Sequence, residues 1–197
     1  MKDSYHVTIF ARWVCVYLHY RRPNGLFYFM KFLENDLEGI IYTSGRDVLE
    51  ERGLPIYGTL KRQLKIGNYG IADLVEFNRP FYYETPVGKL LQKGRIKIYE
   101  LKKEQVGIAA FLQSLYYLKG IQSYLYQRGI LDNYVIDIVL IGRNIDKSGS
   151  FCFIPELINL NNPNEEHGEI MLYTYKYEID GLRFVHEHGY HIKSEGF

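Results

Sequence analysis

Ile96-Lys97-Ile98-Tyr99-Glu100-Leu101-Lys102 is the stretch around which this chain is organised. Its side chains alternate, so a strand sets Ile96, Ile98, Glu100 and Lys102 on one face and Lys97, Tyr99 and Leu101 on the other. Glu100 and Lys102 then point the same way. Upstream, Gly70-Ile71-Ala72-Asp73 runs into Leu74-Val75 and supplies an acid on a second apolar strand; downstream, Gln113 and Tyr117 stand four residues apart on a helix. Alone, a Glu-x-Lys or a Gly-x-x-Asp signals little, because solvated strand edges and turns produce both. In this order, with an apolar strand before each acid and a helix after, the pieces read as one site.

The residue types fit the chemistry of a hard cation. Mg²⁺ prefers oxygen ligands at about 2.0–2.1 Å and keeps several waters, so one or two carboxylates and a substrate phosphate hold it. Asp73 and Glu100 could supply those oxygens. A lysine beside them can position or deprotonate a water and offset negative charge on a phosphate.

These residues resemble the PD-(D/E)XK nuclease superfamily: Asp73 matches the motif aspartate and Glu100-Leu101-Lys102 matches (D/E)XK, while Ala72 stands where the name has proline. Gln113-Ser-Leu-Tyr116-Tyr117 is similar to the Q-x-x-x-Y helix motif of the RecB-like branch. The resemblance covers residues 31 to 145 well and the remainder loosely. It implies an α/β, restriction-endonuclease-like fold, a mixed central sheet flanked by helices, and a Mg²⁺-dependent nuclease acting on DNA, with Mn²⁺ as a substitute metal. Asp73, Glu100 and Glu34 would hold the ion, with Glu38 as the alternative to Glu34. Lys102 would assist the water, and Gln113 would orient the lysine or a phosphate.

Composition sets the frame. A chain of 197 residues without a Pro/Gly/Ser-rich linker reads as one domain: an aromatic-rich hairpin or extension over 1–30 and a nuclease-like domain over 31–197. Hydrophobic residues at 47% and charged residues at 24% describe an ordinary globular chain, here rich in aromatics with 19 Tyr and 11 Phe. No apolar run reaches about 18 residues and the start lacks a secretion signal, so no membrane partner and a cytoplasmic location are expected. Cys15 and Cys152 are too few for a zinc site of the paired-cysteine type and read as buried free thiols. The net charge of +1 does not announce a nucleic-acid binder, but Lys89, Lys93, Arg95, Lys97, Lys102 and Lys103 cluster against Glu100 alone. Such a stripe suits a phosphate backbone, and Lys89, Lys93, Lys97 and Lys103 with Arg62 and Tyr117 are the candidate nucleic-acid contacts. A homodimer is left open.

Along the chain, Asn24-Gly25 between apolar runs predicts a hairpin over residues 5–31, with a helix through Ile9 to Leu18 as the alternative. A helix is expected from Leu33 to Tyr42, prolonged or repeated over Arg46 to Arg52 until Gly53 and Pro55 end it. Strands follow at 59–66 and 71–77, then a long connection over 78–93, the Glu100 strand, and a helix over 105–127 with Phe111, Leu115, Leu118, Gln122 and Leu125 on one face. Val135 to Ile141 reads as a strand covered on both sides. Phe151 to Ile154, Ile170 to Tyr177 and an arm over Gly181 to Ile192 are further strands. His186-Glu-His188-Gly-Tyr-His191 is read as surface, because hard-cation chemistry does not want imidazole. A binding or assembly protein that kept such a fold without its chemistry is the rival function. A tRNA-targeting or cyclic-nucleotide-activated effector is a third, though no sensor domain is evident.

Overall fold

Leu37 and Ile41, four apart, give the first described helix, α1 (Glu34–Thr43), a buried face, and Asp36 accepts a hydrogen bond from the Leu33 N–H at 2.7 Å that closes its first turn. A second, separate helix, α2 (Arg46–Glu51), buries Leu49. In this computed structural model residues 33–146, 151, 168–179 and 181–187 are described. The expected hairpin over 5–31, the strand over 151–154 apart from Phe151, and the histidine cluster beyond Glu187 lie outside them.

Strand β1 (Thr59–Lys65) turns through a short 3-10 segment, Gly67–Tyr69, into β2 (Ile71–Asn78). The segment expected to be a long connection is instead a hairpin of β3 (Phe81–Thr85) and β4 (Gly88–Gln92), paired antiparallel as a small sheet of its own. Its prolines and glycine sit at the ends of the ladder: Pro80 precedes it, Pro86 is in the turn, and Gly88 opens β4 opposite Thr85 at φ +128°. Strand β5 (Gly94–Leu101) carries the Glu100 motif. The helix expected from residue 105 begins later, because Gln105–Val106 forms a short strand, β6, that pairs in parallel with β8 (Asn144–Ile145); α3 then runs Ile108–Gln127. Strands β7 (Tyr134–Gly142), β9 (Ile170–Glu178) and β10 (Gly181–Glu187) complete the set.

The central sheet has six strands in the order β1-β2-β5-β7-β9-β10 and is mixed: β5, β7 and β9 run parallel, and the outer pairs are antiparallel. The architecture is α/β with few helices. Leu74, Tyr99, Leu101, Val139 and Ile141 pack with Leu37 and Ile41 of α1 on one face. Val75, Ile96 and Ile98 pack with Tyr117 and Ile121 of α3 on the other. Burial on both faces explains the almost uninterrupted apolar run of β7. The buried stripe of α3 is Ala110, Phe111, Ser114, Tyr117, Gly120, Ile121 and Leu125, so it is turned from the expected one: Leu115 and Leu118 are its margin and Gln122 is only partly covered.

Candidate functional site

Strands β2 and β5 pair antiparallel with Leu74 opposite Tyr99, and one further step of that register sets Asp73 across from Glu100. Asp73 accepts a hydrogen bond from the Leu101 N–H at 3.0 Å on Oδ2. Glu100 is fully buried. Its Oε1 accepts from Lys102 Nζ at 2.6 Å, while its Oε2, also buried, has no hydrogen-bond partner among the described residues. Lys102 stands just past the end of β5, held there by its N–H bond to the Ile141 carbonyl at 2.8 Å. From α1, the Glu34 carboxylate lies 3.8 Å from the same ammonium.

Burial dominates the electrostatics. It pushes the Glu100 carboxyl up to about 7 against the opposing effect of Lys102, with Asp73 and Glu34 adding to the rise. Asp73 is raised for the same reason, opposed by the Leu101 N–H and reinforced by Glu34. Burial by itself would lower Lys102, but the Glu100 hydrogen bond and the charges of Glu100, Glu34 and Asp73 outweigh it and raise it. Tyr117 is raised first by burial, partly offset by its bond from Gln113, and feels Glu100 and Asp73. The sequence-distant Asp73, Glu100, Lys102, Glu34 and Tyr117 therefore share one electrostatic neighbourhood.

The donor set suits a hard divalent cation: it is all carboxylate oxygen, and the partnerless Glu100 Oε2 is the kind of atom such an ion would satisfy. Among the described residues no three acidic, histidine or cysteine side chains are gathered closely enough to hold an ion as they stand. The carboxylates instead share the Lys102 ammonium as their counter-charge.

Other residues named from sequence are placed differently. Glu38 is buried and committed: Arg62 Nε donates to it at 2.6 Å and Gln63 Nε2 at 2.7 Å. Neighbouring residues of a flat strand point to opposite faces, so both can reach Glu38 only because Gln63 takes φ +50°, a break that no residue type in the sequence signals. Gln113 is exposed and its Nε2 donates to the Tyr117 hydroxyl at 2.6 Å, so the amide is engaged with the tyrosine and not with Lys102. Tyr117 is buried, its ring closed over Gly70: at φ +113° that glycine would bring a Cβ within 3.0 Å of the ring, so a bulkier residue is disfavoured by both backbone and contact. Among the basic residues, Lys97 is mostly buried on the far face, 3.8 Å from Glu76 and over the Tyr57 ring; Arg95 bonds Asp137 at 3.2 Å. Lys89 is exposed near Glu84, Lys93 is partly exposed, and Lys103 lies 3.6 Å from Glu104. The cluster seen in sequence is thus divided between the β3–β4 hairpin, the two ends of β5 and the buried face beside Glu76.

No family model matches the chain, and no curated protein or solved structure matches it. No helix among the described residues is long and apolar enough to cross a membrane.

Proposed function

We propose that this chain is a metal-dependent nuclease that hydrolyses phosphodiester bonds in DNA on a restriction-endonuclease-like sheet of the PD-(D/E)XK kind. The observation that carries the reading is Glu100: a buried carboxylate with one oxygen on Lys102 and the other without a partner among the described residues, across the ladder from a second acid. Buried polar atoms are nearly always satisfied, so an unsatisfied one calls for a reason.

Asp73, Glu100 and Glu34 are the residues that would hold Mg²⁺, or Mn²⁺ in its place, and the ion when bound supplies charge neutralisation at the phosphate and a more acidic water. Lys102 keeps its proton through its hydrogen bond to Glu100, so its ammonium offsets charge developing on the phosphate and orients the attacking water. Leu101 fixes one Asp73 oxygen through its backbone N–H, leaving the other for a ligand. Tyr117, buried beside Gly70, accepts its bond from Gln113 and so fixes the position of that exposed amide.

The test is incubation with single- and double-stranded DNA and RNA in Mg²⁺, Mn²⁺ or chelator. Cleavage is expected with either metal and none in chelator. Undiminished cleavage in chelator, or intact substrate under every condition, would overturn the proposal; binding without cleavage would leave a nucleic-acid-binding protein on this fold.

A further inference from the structure

We propose that α3 offers a stacking platform for an unpaired base beside this site, with Tyr116 as the stacking ring and Tyr69 as its wall, so that the substrate is a single-stranded polynucleotide. The inference rests on the nuclease reading and specifies its substrate. Two adjacent tyrosines of α3 have opposite fates: Tyr117 is 3% exposed in the core, whereas Tyr116 is 65% exposed. Tyr116 is three residues from Gln113 and three from Lys119, which makes these three one ridge of the helix surface, with an amide, a ring and an ammonium in succession.

Tyr69 approaches this ridge from the turn between β1 and β2, four residues ahead of Asp73. Its ring centre is 6.5 Å from that of Tyr116, at an interplanar angle of 57°, so the two rings form a corner rather than a closed stack. The wall is rigid. Gly120 lets the turn dock directly on the helix, since a Cβ there would come within 2.8 Å of the Tyr69 ring and 2.5 Å of Ile66. Ile71, at the start of β2, and Leu112, on α3, are exposed apolar side chains close in sequence to Tyr69 and Tyr116. Every base carries a π-face, so stacking of this kind tolerates sequence, but in a duplex those faces are already occupied. An exposed aromatic corner within a turn of Gln113 and Tyr117 therefore favours a strand with free bases, its phosphates led by Lys119 toward Lys102.

The experiment compares binding of the full chain, in chelator to prevent cleavage, to three labelled ligands of equal length: oligothymidylate, the same strand with abasic sites, and a duplex; oligouridylate replaces oligothymidylate to separate RNA from DNA. The thymidylate and abasic strands have equal phosphate charge and differ only in their bases. Wild type should prefer the former by about 5- to 150-fold, the usual worth of one stacked base. Tyr116→Ala should erase that preference and Tyr116→Phe should keep it. No preference in wild type, or a preference that survives Tyr116→Ala, would overturn the platform. Metal-dependent cleavage without base preference would sink the platform alone, base preference without cleavage would sink the nuclease reading alone, and failure to bind any strand would sink both.

Discussion

Glu76 on β2 and Glu100 on β5 are both fully buried, yet the fold treats them in opposite ways. Glu76 accepts from the Tyr57 N–H at 2.8 Å, the Gly58 N–H at 2.6 Å, Asn78 Nδ2 at 3.2 Å and the Tyr99 hydroxyl at 2.7 Å, with Lys97 Nζ at 3.8 Å. Among the described residues Glu100 accepts from Lys102 alone, and its other oxygen has no partner. A buried carboxylate surrounded by donors is part of the framework. One that is buried and half supplied costs stability in the free protein and is suited to a ligand that completes it. The side facing α1 near Tyr57 holds the structural acid, and the β2–β5 end near Lys102 holds the candidate functional one.

The largest effect should come from Glu76. Glu76→Gln removes a charge that several donors and Lys97 were built around and turns an amide NH₂ toward some of them. A loss of about 3–5 kcal/mol in urea denaturation is expected, as when a buried ion pair is broken, with any activity per folded molecule unchanged. If Glu76→Gln folds as stably as wild type, the contrast between the two acids is wrong.

Glu34 and Glu38 sharpen the contrast one helical turn apart. Glu34 reaches Lys102, whereas Glu38 is taken by Arg62 and Gln63. Glu34→Gln should therefore lower cleavage on the order of 100-fold, roughly 2.7 kcal/mol in the barrier, with stability intact. Glu38→Gln should cost about 1 kcal/mol of stability, discounted because Arg62 is partly exposed, and little activity. Kinetics and melting on both variants decide it, and the reverse ranking would move the third carboxylate to Glu38.

The elements around the site were legible because periodicity is a strong signal where apolar faces are fully buried. The two strands carrying Asp73 and Glu100, the helix after them and the covered strand β7 all follow from it. The 78–93 hairpin was hidden because its residues are mostly exposed and its prolines and glycines mark ends, not the absence of strands. The allegiance of Lys97 was hidden for a different reason: Glu76 lies opposite it across the ladder, and nothing in a single sequence states which strands pair. Gln63 at φ +50° carries no signal, being neither glycine nor asparagine. Charge clustering in sequence does not follow the fold, which buries Lys97 beside Glu76, whereas Asp73, Glu100 and Lys102 share one neighbourhood at the β2–β5 end.

The acidity of Glu100 gives a signed pH dependence. Its carboxyl rises from 4.5 to about 7 on folding, so the folded state binds a proton that the unfolded chain has released between those values. Stability from this group is complete below about pH 4.5 and is lost as pH rises through 7, by roughly 3 kcal/mol at most. Glu100→Gln should thus match wild type near pH 5 and exceed it by on the order of 1–2 kcal/mol at pH 8, the remainder being lost with the Lys102 hydrogen bond. A cation must displace that proton, so the rise in melting temperature with Mn²⁺ should be larger at pH 8 than at pH 6. A Glu100→Gln protein less stable than wild type at pH 8 would make Glu100 a second structural acid.

Two lysines, one beside Glu76 and one on the α3 ridge, give the smallest and most discriminating effect. Lys97 serves Glu76 and is largely buried beside Tyr57, whereas Lys119 lies on the exposed ridge with Gln113 and Tyr116. Each phosphate neutralised by a lysine contributes a slope of about −0.9 in log K against log salt for duplex DNA and about −0.7 for a single strand. Titrating labelled oligothymidylate at several salt concentrations, Lys119→Gln should flatten the slope by roughly 0.7. Lys97→Gln should leave it unchanged and instead lower stability by removing the counter-charge beside the buried Glu76. A slope that responds to Lys97 and not to Lys119 would put the strand on the α1 side of the sheet, where Glu76 and not Glu100 is the nearest acid.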